Sequence, residues 1–289
     1  MISREKVFEM LESSDKLPRL SPGISEILAM LKSPASVDID LLAQKVSQSR
    51  ELHELVIKNF NSDYFGGNKK KIISIREAVI FLGMHTVQNL IIFFITRQLF
   101  SDVPRENAAR SFDMPRYWRH IIGTSAASGM LSSRIRQGDK FKLFSYGLLH
   151  DIGIALLDAC LPELMDEISQ KVMSGVHQLV AERMALGGLT HSDVGAWLCR
   201  KWGIREDIAM IVEYHHTPSL AKTDSMDLKI VHVGDMFSTM YYEKLLGLTT
   251  NIAFNSKIID SLGVSEADKA EIIGLLPQEV GRLLNDFVI

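Results

Sequence analysis

Residues 147–159 read "GLLHDIGIALLDA", with an adjacent His150 and Asp151 interrupting an apolar run. Ionisable side chains are rarely buried without a partner, so the doublet asks what it binds. Outward from it, helical periodicity dominates. "GISEILAMLKS" puts Ile24, Ile27, Leu28 and Leu31 on one helical face. "DIDLLAQKVSQS", "SIREAVIFLGM" and "TVQNLIIFFITRQLF" repeat the pattern, and Ser74 with Glu77 forms a capping box. Pro18, Pro22 and Pro34 punctuate the first two helices. No pair of alternating apolar and polar segments is joined by a hairpin turn. The pattern predicts an all-α protein, a two-lobed helical bundle.

The chain has 289 residues, 46% hydrophobic and 23% charged, with a net charge of −3. That is an ordinary globular balance, enough for one large domain or two small ones. It carries no electrostatic footprint for nucleic acid. The basic run "KKK" at 69–71 reads as a solvated loop. Cys160 and Cys199 have no metal-ligand spacing, and both lie in helical apolar patterns as buried thiols. The opening "MISREKVFEML" is no signal peptide. The most apolar run, "NLIIFFITRQLF", is too short to span a bilayer. A soluble cytoplasmic protein with no membrane or nucleic-acid partner is expected. A polar hinge, "FSDVPRENAARSFDMP" (100–115), suggests an N-terminal lobe over 1–105 and a second lobe over 106–246. An extension over 247–289 is expected to hold three short helices. Seven of the nine histidines follow the hinge, so chemistry belongs to the second lobe.

In that lobe, polar residues stand where the helical pattern expects apolar ones. His120 lies in "YWRHIIGTSAASGML", rich in small residues that allow close helix approach. His191 opens "THSDVGAWLCRKW", where Thr190 and Asp193 form a capping box. His215 and His216 end "EDIAMIVEYHH", and Asp235 lies one helical turn after His232. Neutral imidazole and carboxylate together suit iron, manganese, zinc or nickel. A carboxylate beside an imidazole can bridge two metals while the imidazole binds one, and paired metals can hold a hydroxide for attack on a phosphoester. Helical bundles build such sites from inward-facing side chains of several helices.

These residues carry a resemblance. "LLHDIG" resembles the signature of the HD superfamily of metal-dependent phosphohydrolases, whose order is a first His, an HD doublet and a distant Asp. His120, His150–Asp151 and Asp235 fit that order. More specifically, the chain resembles the HDOD family, a relative of HD-GYP domains. "LPRLSPGISEILAMLKSP" is similar to that family's opening and "NFNSDYFGGNKKKIISIREAVIFLGMHTVQNLI" to its middle. "THSDVGAWLCRKWGIREDIAMIVEYHHTP" is similar to its close. The resemblance implies an all-α fold of HD-superfamily type and a role in bacterial signal transduction, generally without catalysis. Many members lack the metal ligands; this chain keeps His120, His150, Asp151, His191, His215, His216 and Asp235. By that resemblance one or two divalent metals are implied, with His191 and His215–His216 serving the second, and Asp151 is the residue on which catalysis would turn. Two departures argue against cyclic di-GMP hydrolysis. Ile154 stands where HD-GYP domains carry a lysine, and "HHTPSLAKTD" lacks Gly-Tyr-Pro. Ser49-Arg50 also replaces the family's Asp-Pro.

Other candidates read as structural. His85 follows Gly83 at a helix boundary, and His53 and His177 read as surface residues. His232 is open between ligand, partner of Asp235 and core histidine. Arg116 and Arg119 flank His120 on a solvated face, and Trp118, Trp197 and Trp202 read as core. Two function classes remain. One is a signalling or interaction module with a protein partner and a structural or regulatory metal site. The other is a metal-dependent phosphohydrolase with a phosphoester ligand. The missing lysine and Gly-Tyr-Pro favour the first; the intact ligand set favours the second.

Overall fold

Side-chain caps set most helix starts, as their sequence positions require. The structure, a computed structural model, describes residues 2–32, 37–65, 71–101, 110–245 and 256–286. Ser3 caps α1 (Arg4–Ser13), Ser21 caps α2 (Pro22–Leu31) and Asp38 caps α3 (Ile39–Gln48). Ser49 caps α4 (Arg50–Phe60) through Leu52 N–H, which makes Arg50 the first helical residue. Asp-Pro at those two places would serve the same end, an acceptor at the cap and a fixed φ at the first position. The Ser49-Arg50 departure therefore leaves the local fold intact. Ser74 caps α5 (Ile75–Leu82), whose end at Gly83, with φ of 81°, turns the chain into α6 (Met84–Ser101).

Asp113 and Asp139 cap α7 (Met114–Ile135) and α8 (Lys140–Leu149). Then follow α9 (Ile152–Cys160), α10 (Pro162–Met173), α11 (Gln178–Ala185), α12 (His191–Lys201), α13 (Glu206–Tyr214) and α14 (Met226–Leu245). Among the described residues there is no strand. α7 is the central helix, packed by α8, α14 and α16 (Glu266–Asp286), while α6 lies on α8. One buried apolar cluster runs from Val7 to Leu283. Both cysteines are buried and free.

One sequence expectation changes here. The C-terminal stretch folds as α15 (Ser256–Ser261) and one long α16, not three short helices; its Leu276, Val280 and Leu283 keep one buried face across Pro277. The run in α6 is not long and apolar enough to cross a membrane; among the described residues the one stretch that is, Lys140–Cys160, has 94% of its most apolar window buried inside the protein. It is two core helices, α8 and α9, interrupted by the His150–Asp151 doublet. Half of the hinge (102–109) and Lys69 and Lys70 lie outside the described residues.

Candidate metal centre

The doublet sits where α8 stops and α9 starts. His150 still donates its backbone N–H to Tyr146 O at 3.0 Å, whereas Asp151 takes the N-cap of α9. An N-cap aspartate ordinarily accepts from the helix's first N–H groups. Asp151 makes no such bond, so its carboxylate is free to face inward. Two glycines let the neighbours close in. A Cβ on Gly153 would lie 1.9 Å from His191 O, pressing α9 off α12. A Cβ on Gly147 would lie 2.6 Å from Ser125 Cα, pressing α8 off α7. Five places in the chain thus converge: His120 on α7, the doublet, His191 at the start of α12, His215–His216 after α13, and Asp235 on α14.

Asp151 stands between two groups of ligand atoms. Its Oδ1 is 3.1 Å from His191 Nε2 and 3.3 Å from His215 Nε2. Its Oδ2 is 3.2 Å from His120 Nε2 and 3.3 Å from His150 Nε2. Asp235 Oδ1 is 3.2 Å from His120 Nε2, and its Oδ2 is 3.4 Å from His216 Nδ1. His216 Nε2 lies 3.1 Å from His191 Nε2.

The outer hydrogen bonds assign the ring protons. His150 Nδ1 faces Gly147 O at 2.7 Å, His215 Nδ1 faces Val212 O at 2.9 Å, and His191 Nδ1 faces Glu182 Oε1 at 2.7 Å. Each partner is an acceptor, so each Nδ1 carries the proton and each Nε2 presents a lone pair. Those lone pairs point at one another and at a carboxylate: His150 Nε2 and His120 Nε2 are 3.3 Å apart, as are His191 Nε2 and His215 Nε2. Asp151 Oδ1 is buried with no hydrogen-bond partner. Its neighbours sit at ion-pair distance, but their protons are on the far side of the rings. Acceptors facing acceptors in a dry interior need positive charge between them. Metal–ligand bonds of about 2.0–2.2 Å place neighbouring donor atoms about 2.8–3.6 Å apart between right and tetrahedral angles, and the spacings above fall there; His150 Nε2 to Asp235 Oδ1 is longer, at 3.8 Å. The residues therefore fit divalent metal.

In the metal-free chain, protons are drawn to the same places. Burial works against a charged His120, but its bonds to Asp151 and Asp235 outweigh that, and its pKa is pushed up to about 9. His191 is also raised, burial being overcome by Glu182 and Asp151. Asp151 is held well below the carboxylate range: burial raises it, and His150 and His191 overcome that. Asp235 is lowered despite its burial, chiefly by His120. Burial pushes His215 and His216 down. His150, Asp151, His191, His215 and Asp235 are buried, while His120 and His216 keep side-chain exposures of 19% and 27%. Those two form the open edge.

All seven residues singled out from the sequence meet here. His232 does not join them: its Nδ1 donates to His215 O at 2.6 Å, which makes it a core histidine supporting the His215 backbone. His85 and His177 are exposed and His53 is half-buried, all apart from the cluster. Trp202 is buried, and Trp118 and Trp197 are half-buried against the core. Arg116 is half-buried and Arg119 exposed. Glu182 was missed. It is 1% exposed and accepts from both the His191 ring and its backbone N–H, at 2.7 and 2.9 Å. Its only signal was a glutamate on the inner side of α11.

Comparison with known proteins follows that geometry. A Geobacter sulfurreducens HDOD domain protein of unknown function superposes with a TM-score of 0.70 at 22% identity, over 98% of this chain and 97% of that one. A Shewanella amazonensis protein described as a candidate phosphohydrolase gives 0.67 at 20%, over 96% and 98%. A Marinobacter aquaeolei protein described as a candidate signal-transduction protein gives 0.71 at 18%, over 98% and 64%. These likenesses carry the fold. An uncharacterized Treponema pallidum protein is 23% identical over 203 residues, 70% of this chain; the match spans 38% of that protein's length. The HDOD domain profile matches residues 17–218, most of the chain. The chain belongs to the HDOD domain family.

Proposed function

We propose that this chain is a cytoplasmic signalling module built around a pair of divalent transition metals and read by a protein partner. The observation that carries the reading is Asp151, buried, with one oxygen toward each ligand group. His191, His215 and His216 would hold one ion, and His120, His150 and Asp235 a second where two are bound. Iron, manganese, zinc and nickel all suit that donor set. Cyclic di-GMP is not its substrate: Ile154, 6% exposed, puts an apolar group where a phosphate would want a cation.

A second reading, a metal-dependent phosphohydrolase for a smaller phosphoester, is favoured by the open edge at His120 and His216. Bound metals would supply acidified water at that edge; Asp151 and Asp235 would hold charge there, and Glu182 would fix the His191 ring.

The test is elemental analysis of protein purified without chelator, then a panel of phosphomonoesters, phosphodiesters, nucleotides and cyclic di-GMP. One to two metals per chain and no turnover are expected. Well under one metal after reconstitution with all four ions overturns the proposal. Turnover of a small phosphoester that is lost in Asp151→Ala selects the second reading, and robust turnover of cyclic di-GMP shows that Ile154 was misread.

A further inference from the structure

Beside the doublet, α6 turns one face toward α7 and α9. Phe93, Arg97 and Phe100 line that face, opposite Tyr117 and Trp118 of α7 and Ile152 of α9, around a cavity of about 20 Å³. Arg97 is the one charged residue in this lining. It is half-buried, and its Nε is buried without a hydrogen-bond partner. Among the described residues no carboxylate pairs with it, and burial alone acts on its charge, pulling its pKa down. A guanidinium set among aromatic rings with no counter-charge is unfavourable by itself. Nearby cations are treated differently: Arg110 pairs with Asp158 and Asp166, and Arg205 with Asp207.

We propose that this cavity is a binding site for a small organic carboxylate, one of whose oxygens accepts from Arg97 Nε–H. Size and lining select that class. A cavity of about 20 Å³ admits roughly one water-sized group, so one oxygen enters and the body stays at the rim on the half-buried Trp118. An apolar body gains from aromatic contact there, a gain that inorganic phosphate, which has no apolar body, does not make. The site is independent of the metal reading, since none of its lining residues is a candidate ligand.

Benzoate is the probe, titrated into the full chain by calorimetry and tryptophan fluorescence, with benzamide and inorganic phosphate as controls. Saturable benzoate binding is expected, with no response to benzamide and no competition from phosphate. Arg97→Met should weaken benzoate at least tenfold, and Arg97→Lys should restore part of the loss. Without ligand, Arg97→Met should melt at or above the wild-type temperature, because a half-buried guanidinium whose Nε has no partner has been replaced by an apolar side chain. A lower melting temperature would mean that Arg97 already has a partner within the chain, and it overturns the proposal. So does benzamide or phosphate binding as well as benzoate, benzoate binding unchanged in Arg97→Met, or no saturable binding at all.

Discussion

Arg205 and Asp151 are both charged and both nearly inaccessible, at 4% and 3% exposure, yet their surroundings follow opposite rules. Around Arg205 every guanidinium nitrogen meets an acceptor. Its Nε and Nη2 bind the two oxygens of Asp207 at 2.9 and 2.7 Å, Nη1 binds Gln88 Oε1 at 2.6 Å, and Nη2 also reaches Asn89 Oδ1 at 3.0 Å. Asn89 donates onward to Ser145 Oγ at 2.9 Å, and Tyr146 OH donates to Asp207 at 2.7 Å. Only Gln88 Nε2 lacks a partner within this network. It ties α6, α8 and α13 together with the chain's own atoms. Around Asp151 the outer shell is equally well paired, but the inner atoms are lone pairs aimed at one another. A closed network explains itself as structure. A cluster whose outer bonds are satisfied and whose inner ones conflict is shaped for something not made of protein.

The largest effect should come from breaking the closed network. Arg205→Met would leave the buried Gln88 and Asn89 oxygens unpaired, at about 1–3 kcal/mol each, and would take the counter-charge from Asp207, whose side chain is 35% exposed. It should therefore lower unfolding stability by about 3–5 kcal/mol in denaturant titration. The loss should be the same with and without chelator. It should also depend on pH. Burial raises the Asp207 carboxyl, but the Arg205 hydrogen bond overcomes this and holds it below its usual range. A depressed folded pKa contributes stability above the unfolded value and loses it as pH falls through the folded one. The Arg205→Met deficit should therefore shrink in acid. A deficit that grows in acid would contradict the pairing.

Breaking the other cluster should act through metal. An ion bound only by the folded chain adds about 2.7 kcal/mol at a hundredfold excess over Kd. Chelator should lower the wild-type melting temperature accordingly. His150→Ala and Asp235→Ala should each abolish most of that response, and the double variant should lose little more than either alone, since ligands of one centre are coupled. His85→Ala, exposed on α6, should respond like the wild type. Equal chelator responses in all these proteins would leave the cluster held by protons alone.

The two clusters also differ in how legible they were. The seven ligand candidates showed themselves because each is a polar residue in an apolar helical pattern, and "LLHDIG" ties two of them together. The capping-box patterns at Ser74 and Thr190 marked two helix starts correctly, although the box closes only at Thr190; Glu77 accepts from Ile73 N–H instead of Ser74 N–H. The Arg205 network was invisible, because Gln88, Asn89, Ser145 and Asp207 are residue types that sit on any helix surface. Only packing reveals that they face each other. The long α16 was misjudged for a related reason: the buried face that carries the helix through Pro277 depends on contact with α7.

Glu182 lies between these cases, and it gives the smallest and most selective effect. Nothing in "LVAERMALGGLTH" marks it as more than a helical glutamate. In the fold it accepts from His191 Nδ1 and from the His191 backbone N–H, so it fixes both the ring and the start of α12. Glu182→Gln keeps the shape and an acceptor oxygen for the ring but removes the charge that makes the imidazole a stronger donor to metal. Partners of this kind alter metal affinity by about 10–100-fold. Glu182→Gln should sit at the low end, about tenfold, with the fold's chelator-treated melting temperature within a few degrees of wild type. Glu182→Ala, which also frees the ring to turn, should lose more. The comparison is made by competition with a chromophoric chelator, in the same protein used for elemental analysis. Wild-type affinity in Glu182→Gln would mean that the carboxylate serves α12 alone, and that the His191 ring is held in place by its packing.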